Sequence, residues 1–264
     1  MNLFKLQRNR EGMNISLKGK VVLVTGGSRG IGAAICQQLG KSGATVAVHY
    51  RSKKEEADVV AQMAGNMSKS FQADLSESKE VLALYEKLIK EFGKIDVLIN
   101  NAGLAMSSDF LKEDKDWLDE WDLQFAVNTR AMALLCKKAI VDMRKNGEGR
   151  IINIASRAAF RGDTLDYLGY GASKGAIPSL TRSIARYCGK DGIKAFCIAP
   201  GFVRTDMAQD FMDQYGENFA LNDIALNKLT EPQDLAPLIT LLASGQADHA
   251  TGTTIDINAG SYVH

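Results

Sequence analysis

Tyr170 and Lys174 lie four residues apart in Tyr170-Gly-Ala-Ser-Lys174. On a helix that spacing places them one turn apart on the same face. An ammonium so placed favours the phenolate, because a nearby positive charge stabilises the charged form. A tyrosine tuned in this way exchanges a proton with a substrate oxygen near neutral pH. Tyr50 and Lys54 repeat the spacing, so the pair alone is unspecific. What distinguishes Tyr170 is its company. Ser156 ends an apolar run just upstream, and Asn128 lies in a helical stretch before that.

The elements that must position these residues follow a regular order. Apolar, β-branched runs occur at Lys20–Thr25, Ala44–Tyr50, Ser68–Ala73, Ile95–Asn100, Gly149–Ser156, Gly192–Ala199 and Thr253–Asn258. Helical-period segments separate them at Ile31–Lys41, Glu55–Gly65, Ser78–Phe92, Trp117–Met143, Gly171–Cys188 and Pro232–Ala243. Strands alternating with helices predict a parallel sheet covered on both faces, and right-handed crossovers make it doubly wound. Nothing divides the chain, so residues 17–264 read as one α/β domain behind a flexible extension, residues 1–16. The irregular stretch Phe202–Asn227 falls at the carboxyl edge of that sheet and reads as a substrate lid.

Thr25-Gly-Gly-Ser-Arg-Gly-Ile-Gly32 follows the first strand and opens the first helix. Glycines there let a pyrophosphate approach backbone N–H groups at a helix N-terminus, where the helix contributes positive potential. The spacing is Gly26-x-x-x-Gly30-x-Gly32, and no Lys-Ser/Thr follows, which excludes a triphosphate loop. The second strand ends in His49-Tyr50-Arg51-Ser52, and the first acid comes only at Glu55. An acid at the strand end would accept bonds from a free ribose 2′-hydroxyl, whereas arginine accommodates a 2′-phosphate. Arg29 and Arg51 therefore point to NADP(H) rather than NAD.

Bulk properties exclude other classes. The 264 residues carry a formal charge of +1, which gives no electrostatic case for nucleic acid or an anionic membrane. No apolar run approaches the ~20 residues of a membrane span. Cys36, Cys136, Cys188 and Cys197 sit in apolar runs without C-x-x-C spacing and read as reduced thiols of a cytoplasmic protein. His49, His249 and His264 are scattered, so no metal is expected.

Together these motifs resemble the short-chain dehydrogenase/reductase family in its single-domain form, from Leu17 to Ser261. Thr25–Gly32 is similar to its T-G-x-x-x-G-x-G turn and Asn100-Asn-Ala-Gly103 to its N-N-A-G motif. Asp74 is similar to the acid beside the adenine, and Asn128, Ser156, Tyr170 and Lys174 to the catalytic tetrad. Pro200-Gly201 with Thr205, Thr251-Gly252 and Asn258-Ala-Gly260 complete the pattern. The resemblance implies a Rossmann-type sheet of about seven parallel strands. It implies that Tyr170 protonates a carbonyl oxygen as hydride arrives and that Ser156 hydrogen-bonds that oxygen. Lys174 would depress the tyrosine pKa and bind the nicotinamide ribose, while Asn128 anchors a water that relays protons to Lys174. The implied cofactor contacts are Thr25, Gly26, Ser28, Arg29, Gly30, Ile31 and Gly32 in the turn, with Tyr50, Arg51 and Ser52 at the second strand. Asp74, Leu75, Asn101, Ala102, Gly103, Pro200, Gly201, Val203 and Thr205 continue them, and Tyr170 and Lys174 are shared. Tyr50 then falls at the adenosine end of the cleft, away from the chemistry, and Tyr167 is placed to line the substrate pocket.

The expected activity is interconversion of a carbonyl and a secondary alcohol, with a 3-oxoacyl thioester ranked first among substrates. Sugars, cyclic alcohols and other small ketones are the alternatives, followed by a nonenzymatic NADP sensor. An acyl carrier is a weaker expectation. The arginines that meet it in 3-oxoacyl reductases fall at Glu148 and Asp191, leaving Arg150, Lys145 and Lys190 to substitute. Pro178 should kink its helix one turn after Lys174. The Trp117–Met143 and Gly171–Cys188 helices carry Phe125, Ala131, Met132, Leu134, Leu135, Ile177, Leu180 and Ile184 on more than one face. That surplus predicts burial against another subunit, and the resemblance implies a homotetramer or, if the kink disturbs pairing, a dimer.

Overall fold

The computed structural model describes residues 15–206 and 221–263. Seven parallel strands form one sheet: β1 (Val21–Val24), β2 (Thr45–Tyr50), β3 (Lys69–Gln72), β4 (Val97–Asn100), β5 (Gly149–Ile154), β6 (Ile193–Pro200) and β7 (Thr254–Ile257). Their spatial order is β3-β2-β1-β4-β5-β6-β7. The strands read as continuous apolar runs because both faces are covered. In β1, Val22 and Val24 enter one layer and Leu23 the other, the two-residue alternation of a strand. The first layer packs the sheet against helices α1 (Gly30–Lys41), α2 (Lys54–Ala64) and α8 (Pro232–Ser244), through Leu39, Val60, Leu235 and Ile239. The second packs it against α3 (Ser78–Phe92), α5 (Ala131–Asn146) and α7 (Leu168–Cys188), through Leu84, Leu88, Leu135, Met143 and Ile177.

The chain winds outward from β1 to β3, then crosses to β4 on the other side of β1, pairing Val22 with both Val46 and Val97. Loops leaving β1 and β4 therefore diverge, and a crevice opens at their carboxyl ends.

Each predicted strand and helix has its counterpart, with three differences. The segment expected as a single helix over 117–143 is α4 (Asp114–Phe125), a π-helical turn (Ala126–Arg130) and then α5. Asn128 sits in that turn, fully buried. The inserted residue of a π turn rotates a side chain out of the α-helical register, and such turns concentrate at functional sites. Helix α7 runs through Pro178 as one element, with the proline ring buried. The apolar surplus expected on the outer faces of these helices is mostly core: Ala131, Met132, Leu135, Ile177 and Ile184 are buried within the protomer. Phe125, Leu134 and Leu180 are partly buried, and the exposed apolar side chains on these helices include Leu118, Val141, Leu168 and Tyr187.

Of the expected N-terminal extension, residues 1–14 lie outside the described residues, and Leu17 is already buried, its N–H bonded to the Ser42 carbonyl. Residues 207–220 of the expected lid also lie outside them. Among the described residues no helix is long and apolar enough to cross a membrane. All four cysteines are free and buried.

Candidate active site

The carboxyl edge holds a cavity of about 670 Å³ that runs from the glycine turn to the turn after β6. Gly26 makes its floor possible. Its φ is +64°, and a Cβ there would stand 2.9 Å from the Ala102 Cα. The turn is sewn to the segment after β4 through Thr25, whose hydroxyl accepts the N–H groups of Asn101 (2.9 Å) and Ala102 (3.0 Å). The Asn101 amide returns bonds to the carbonyls of Thr25 (2.9 Å) and Gly26 (3.1 Å).

His49, buried beneath the turn, is a second brace. Its Nδ1 accepts the Gly26 N–H at 3.0 Å, and its Nε2 lies 3.0 Å from the Ala73 carbonyl. An acceptor on one nitrogen and a carbonyl at the other fix the neutral Nε2–H tautomer. Burial pushes its pKa down to about 4, against a weaker upward pull from the Ala73 carbonyl and Asp74.

Ser28, Arg29, Gly30, Ile31, Gly32, Tyr50, Arg51, Ser52, Asp74, Leu75, Asn101, Ala102 and Gly103 all line the cavity with Gly26, as do Pro200, Gly201, Val203 and Thr205. Thr25 does not, since its hydroxyl faces the seam. Arg51 is exposed at one end, and Arg29 reaches across the opening to Asp206 at 2.6 Å.

Ser156, Tyr170 and Lys174 converge on the opposite wall. Ser156 leaves β5 where the chain turns into α6 (Ala158–Arg161). Tyr170 and Lys174 stand one turn apart on α7, and Lys174 is buried. The Lys174 ammonium donates to the Ile154 carbonyl at 2.9 Å and lies 5.9 Å from the Tyr170 ring centroid. The expectation that it depresses the phenol pKa does not hold in this state. Burial raises the Tyr170 pKa, and the opposing pulls come from the Ser156 hydroxyl and the Arg157 charge. Lys174 faces the sheet carbonyl instead of the phenol oxygen, and desolvation lowers its own pKa to about 8.

Asn128 lies behind this wall. Its Oδ1 accepts the Leu104 N–H (2.7 Å), and its Nδ2 donates to the Leu104 carbonyl (2.8 Å) and the Ser173 hydroxyl (2.9 Å). The amide thus clamps the segment after β4 to α7. Its Oδ1 and the Lys174 Nζ also crowd Gly103, where a Cβ would stand 3.5 and 3.2 Å from them.

No binding role was expected of the charged residues at the substrate end. Arg157, Arg161, Asp163 and Phe202 line it with Tyr167. The signal available was two arginines four residues apart, directly after Ser156. Arg150, expected near a carrier-binding surface, is buried, and its guanidinium grips Asp248 through two bonds of 2.9 Å. Glu148 pairs with Lys20 and Asp191 with Arg144.

A doubly wound parallel sheet with a glycine turn and a Ser-Tyr-Lys wall on one crevice defines a nucleotide-binding α/β oxidoreductase. The chain belongs to the short-chain dehydrogenase family, whose model matches residues 20–216. It is 34% identical over 247 residues to the 3-oxoacyl-[acyl-carrier-protein] reductase of Staphylococcus aureus, covering 92% of this chain and 98% of that one. A short chain dehydrogenase from Burkholderia cenocepacia in complex with NADP superposes with a TM-score of 0.86 at 32% identity, covering 93% and 98% of the chains. The 3-ketoacyl-(acyl-carrier-protein) reductase of Brucella melitensis complexed with NADH gives 0.85 at 32%, covering 94% and 100%.

His49 generates a pH prediction. Unfolded, its pKa is ~6.5, and the folded value is about 4, so the unfolded chain binds more protons between them. The brace therefore contributes fully above pH ~6.5 and is lost as pH falls toward ~4, a difference of about 3 kcal/mol. Urea unfolding between pH 4 and 7 should show this slope, and His49→Asn should flatten it.

Proposed function

We propose that this chain is an NADP(H)-dependent oxidoreductase that reduces a carbonyl or oxidises a secondary alcohol. The observation that carries the reading is Ser156, Tyr170 and Lys174 on one wall of the cavity whose other end is lined by Arg29 and Arg51. The cavity fits the cofactor: the glycine turn opens α1 onto its floor, where backbone N–H groups suit a pyrophosphate, and about 670 Å³ holds a dinucleotide's reacting half with a small substrate. Thr25 and Asn101 hold that floor, Asp74 and Leu75 flank the adenine, and Arg29 and Arg51 receive the 2′-phosphate. Pro200, Gly201, Val203 and Thr205 shape the nicotinamide end. When bound, the cofactor gives or takes a hydride.

Tyr170 is the general acid in reduction and the general base in oxidation, moving the proton at its phenol oxygen. Its raised pKa keeps the proton available as a donor. Ser156 hydrogen-bonds the same substrate oxygen, which stabilises charge developing there in a site already shielded from water. Lys174, poised near neutrality by burial, holds the ribose and supplies positive potential. Asn128 fixes α7 against the segment after β4, and its one uncommitted Oδ1 lone pair is where a relay water would sit.

For substrate, the names of the related 3-oxoacyl reductases support a 3-oxoacyl thioester. An acyl-carrier partner has less support, given the pairing of Glu148, Asp191 and Arg150. A second reading, a small polar ketone or alcohol, is favoured by the charged wall that Arg157, Arg161 and Asp163 give the substrate end. Assembly as a homotetramer through α5 and α7 is supported by exposed Val141 and Tyr187 beside half-buried Leu134 and Leu180.

Tyr170→Phe should lower turnover by about 10²–10⁴-fold and leave NADPH affinity within a few-fold, measured by steady-state kinetics and fluorescence titration. A variant retaining more than about a tenth of wild-type rate refutes the assignment. Arg51→Asp should weaken NADPH binding by about 1–3 kcal/mol, through lost charge-assisted bonds and added repulsion, while NADH binding changes far less. Wild-type protein that prefers NADH overturns the 2′-phosphate site. Light scattering at micromolar concentration should give a tetramer mass, and a clean monomer refutes the assembly.

A further inference from the structure

Arg157 follows the serine of the active-site wall, and it is 92% buried, with 8% of its surface exposed. Few positions hold a guanidinium so deep without a full set of acceptors, because an unpaired buried cation is strongly destabilising. The group carries five N–H donors. Among the described residues, Asp223 is its one hydrogen-bond acceptor, and the guanidinium carbon lies 4.4 Å above the Phe202 ring. The other donors have no protein acceptor among those residues, and Arg157 lines the cavity.

Asp223 is also shared. Arg161, one turn further along α6 and exposed, places its guanidinium 3.1 and 3.0 Å from the two Asp223 oxygens. Two cations thus divide one carboxylate. Asp163 lines the same end, but it is exposed and its Oδ1 accepts the Thr164 N–H. It is the weaker counter-charge of the two acids. The Phe202 face offsets part of the excess through its quadrupole, and leaves the in-plane N–H fork open.

We infer that Arg157, supported by Arg161 and oriented by Asp223, is a carboxylate-binding subsite, so that the substrate is a small oxo acid or the corresponding hydroxy acid. This rests on the reading of the cavity as a carbonyl oxidoreductase site and selects its polar-substrate form. A carboxylate accepts two parallel N–H bonds from one guanidinium, the geometry Arg offers and Lys does not. Adjacency to Ser156 sets the reach: the carboxylate sits within a few bonds of the reacting carbonyl. An aliphatic tail would offer those donors no acceptor. Asp223 is a positioning residue, since it touches the arginines and does not line the cavity.

The test pairs binding with turnover on the full chain. Protein loaded with NADP⁺ is titrated by calorimetry with 3-hydroxybutanoate and with its methyl ester. NADPH oxidation is followed with 3-oxobutanoate, its methyl ester and its N-acetylcysteamine thioester. The acid should bind about ten- to hundred-fold more tightly than the ester, and kcat/KM should favour it by a similar factor through KM. Arg157→Gln should bring the acid-to-ester ratio near one, a change that general misfolding does not produce because it lowers both arms together. Arg161→Gln, at an exposed site, should reduce the ratio by about three-fold, and it carries the test if Arg157→Gln does not fold. Equal binding of acid and ester overturns the subsite, as does a ratio unmoved in the variants or a thioester that outperforms the free acid. Absence of turnover with every carbonyl refutes the oxidoreductase reading instead, and calorimetry still decides the subsite.

Discussion

The cleft depends on one seam of hydrogen bonds, between the glycine turn after β1 and the segment Asn100–Gly103 after β4. These two loops diverge because the sheet reverses its winding there, and the β1–β4 pairing reaches only as far as the Thr25 N–H bond to the Ile99 carbonyl. Thr25 and Asn101 hold them together with four bonds, two accepted by a hydroxyl and two donated by an amide. Backbone groups at the mouth of the crevice are satisfied by side chains. The Cβ-free approach of Gly26 to Ala102 is what makes the distances short enough. His49 extends the seam to the end of β3, tying the strand that bears Arg51 to the turn that bears Arg29.

The same economy of buried polar groups positions the chemistry. Helix α7 is tied to the sheet by Asn153, which donates to Thr181 at 3.0 Å, and to the π-helical turn by Asn128 and Thr129, which both reach Ser173. These contacts set the rotation of α7 about its axis, and hence where Tyr170 and Lys174 point. Each is worth little alone, about 1 kcal/mol net, but a partner removed from any of them leaves a buried group unmet. Burial also sets protonation. It moves His49 and Lys174 toward neutrality and Tyr170 away from ionisation. The three shifts share a cause, the expulsion of water from the carboxyl edge, and all favour the uncharged form.

At the substrate end that rule is broken, which is why the place is informative. Arg157 keeps its charge among Phe202, Arg161 and Asp223, where an apolar residue of similar volume would have cost nothing in desolvation. Local conflict between burial and charge is expected where a ligand completes the structure. The ion pairs at Glu148, Asp191 and Arg150 are the ordinary case: each of these charges has its partner within the chain.

The sequence by itself determined the alternation of strands and helices, the glycine turn, and the spacing of Ser156, Tyr170 and Lys174. Those features are written in local periodicity and in the steric demand for glycine, so they survive without knowledge of neighbours. The two arginines near the nucleotide end were legible for the same reason, from their place at a strand end and a turn. Only the tertiary structure decided which way the groups face. It turned Thr25 away from the cavity into the seam, Lys174 toward the Ile154 carbonyl instead of the phenol, and Arg150 inward to Asp248. It made Asn128 a clamp through a π turn that no periodicity announces, and it folded the apolar surplus of α5 and α7 into the protomer's own core. It also joined Arg157 to Asp223, 66 residues away. The reason is that a side chain's partner is set by packing across the sheet, between residues distant in sequence, and local propensity carries no information about that distance.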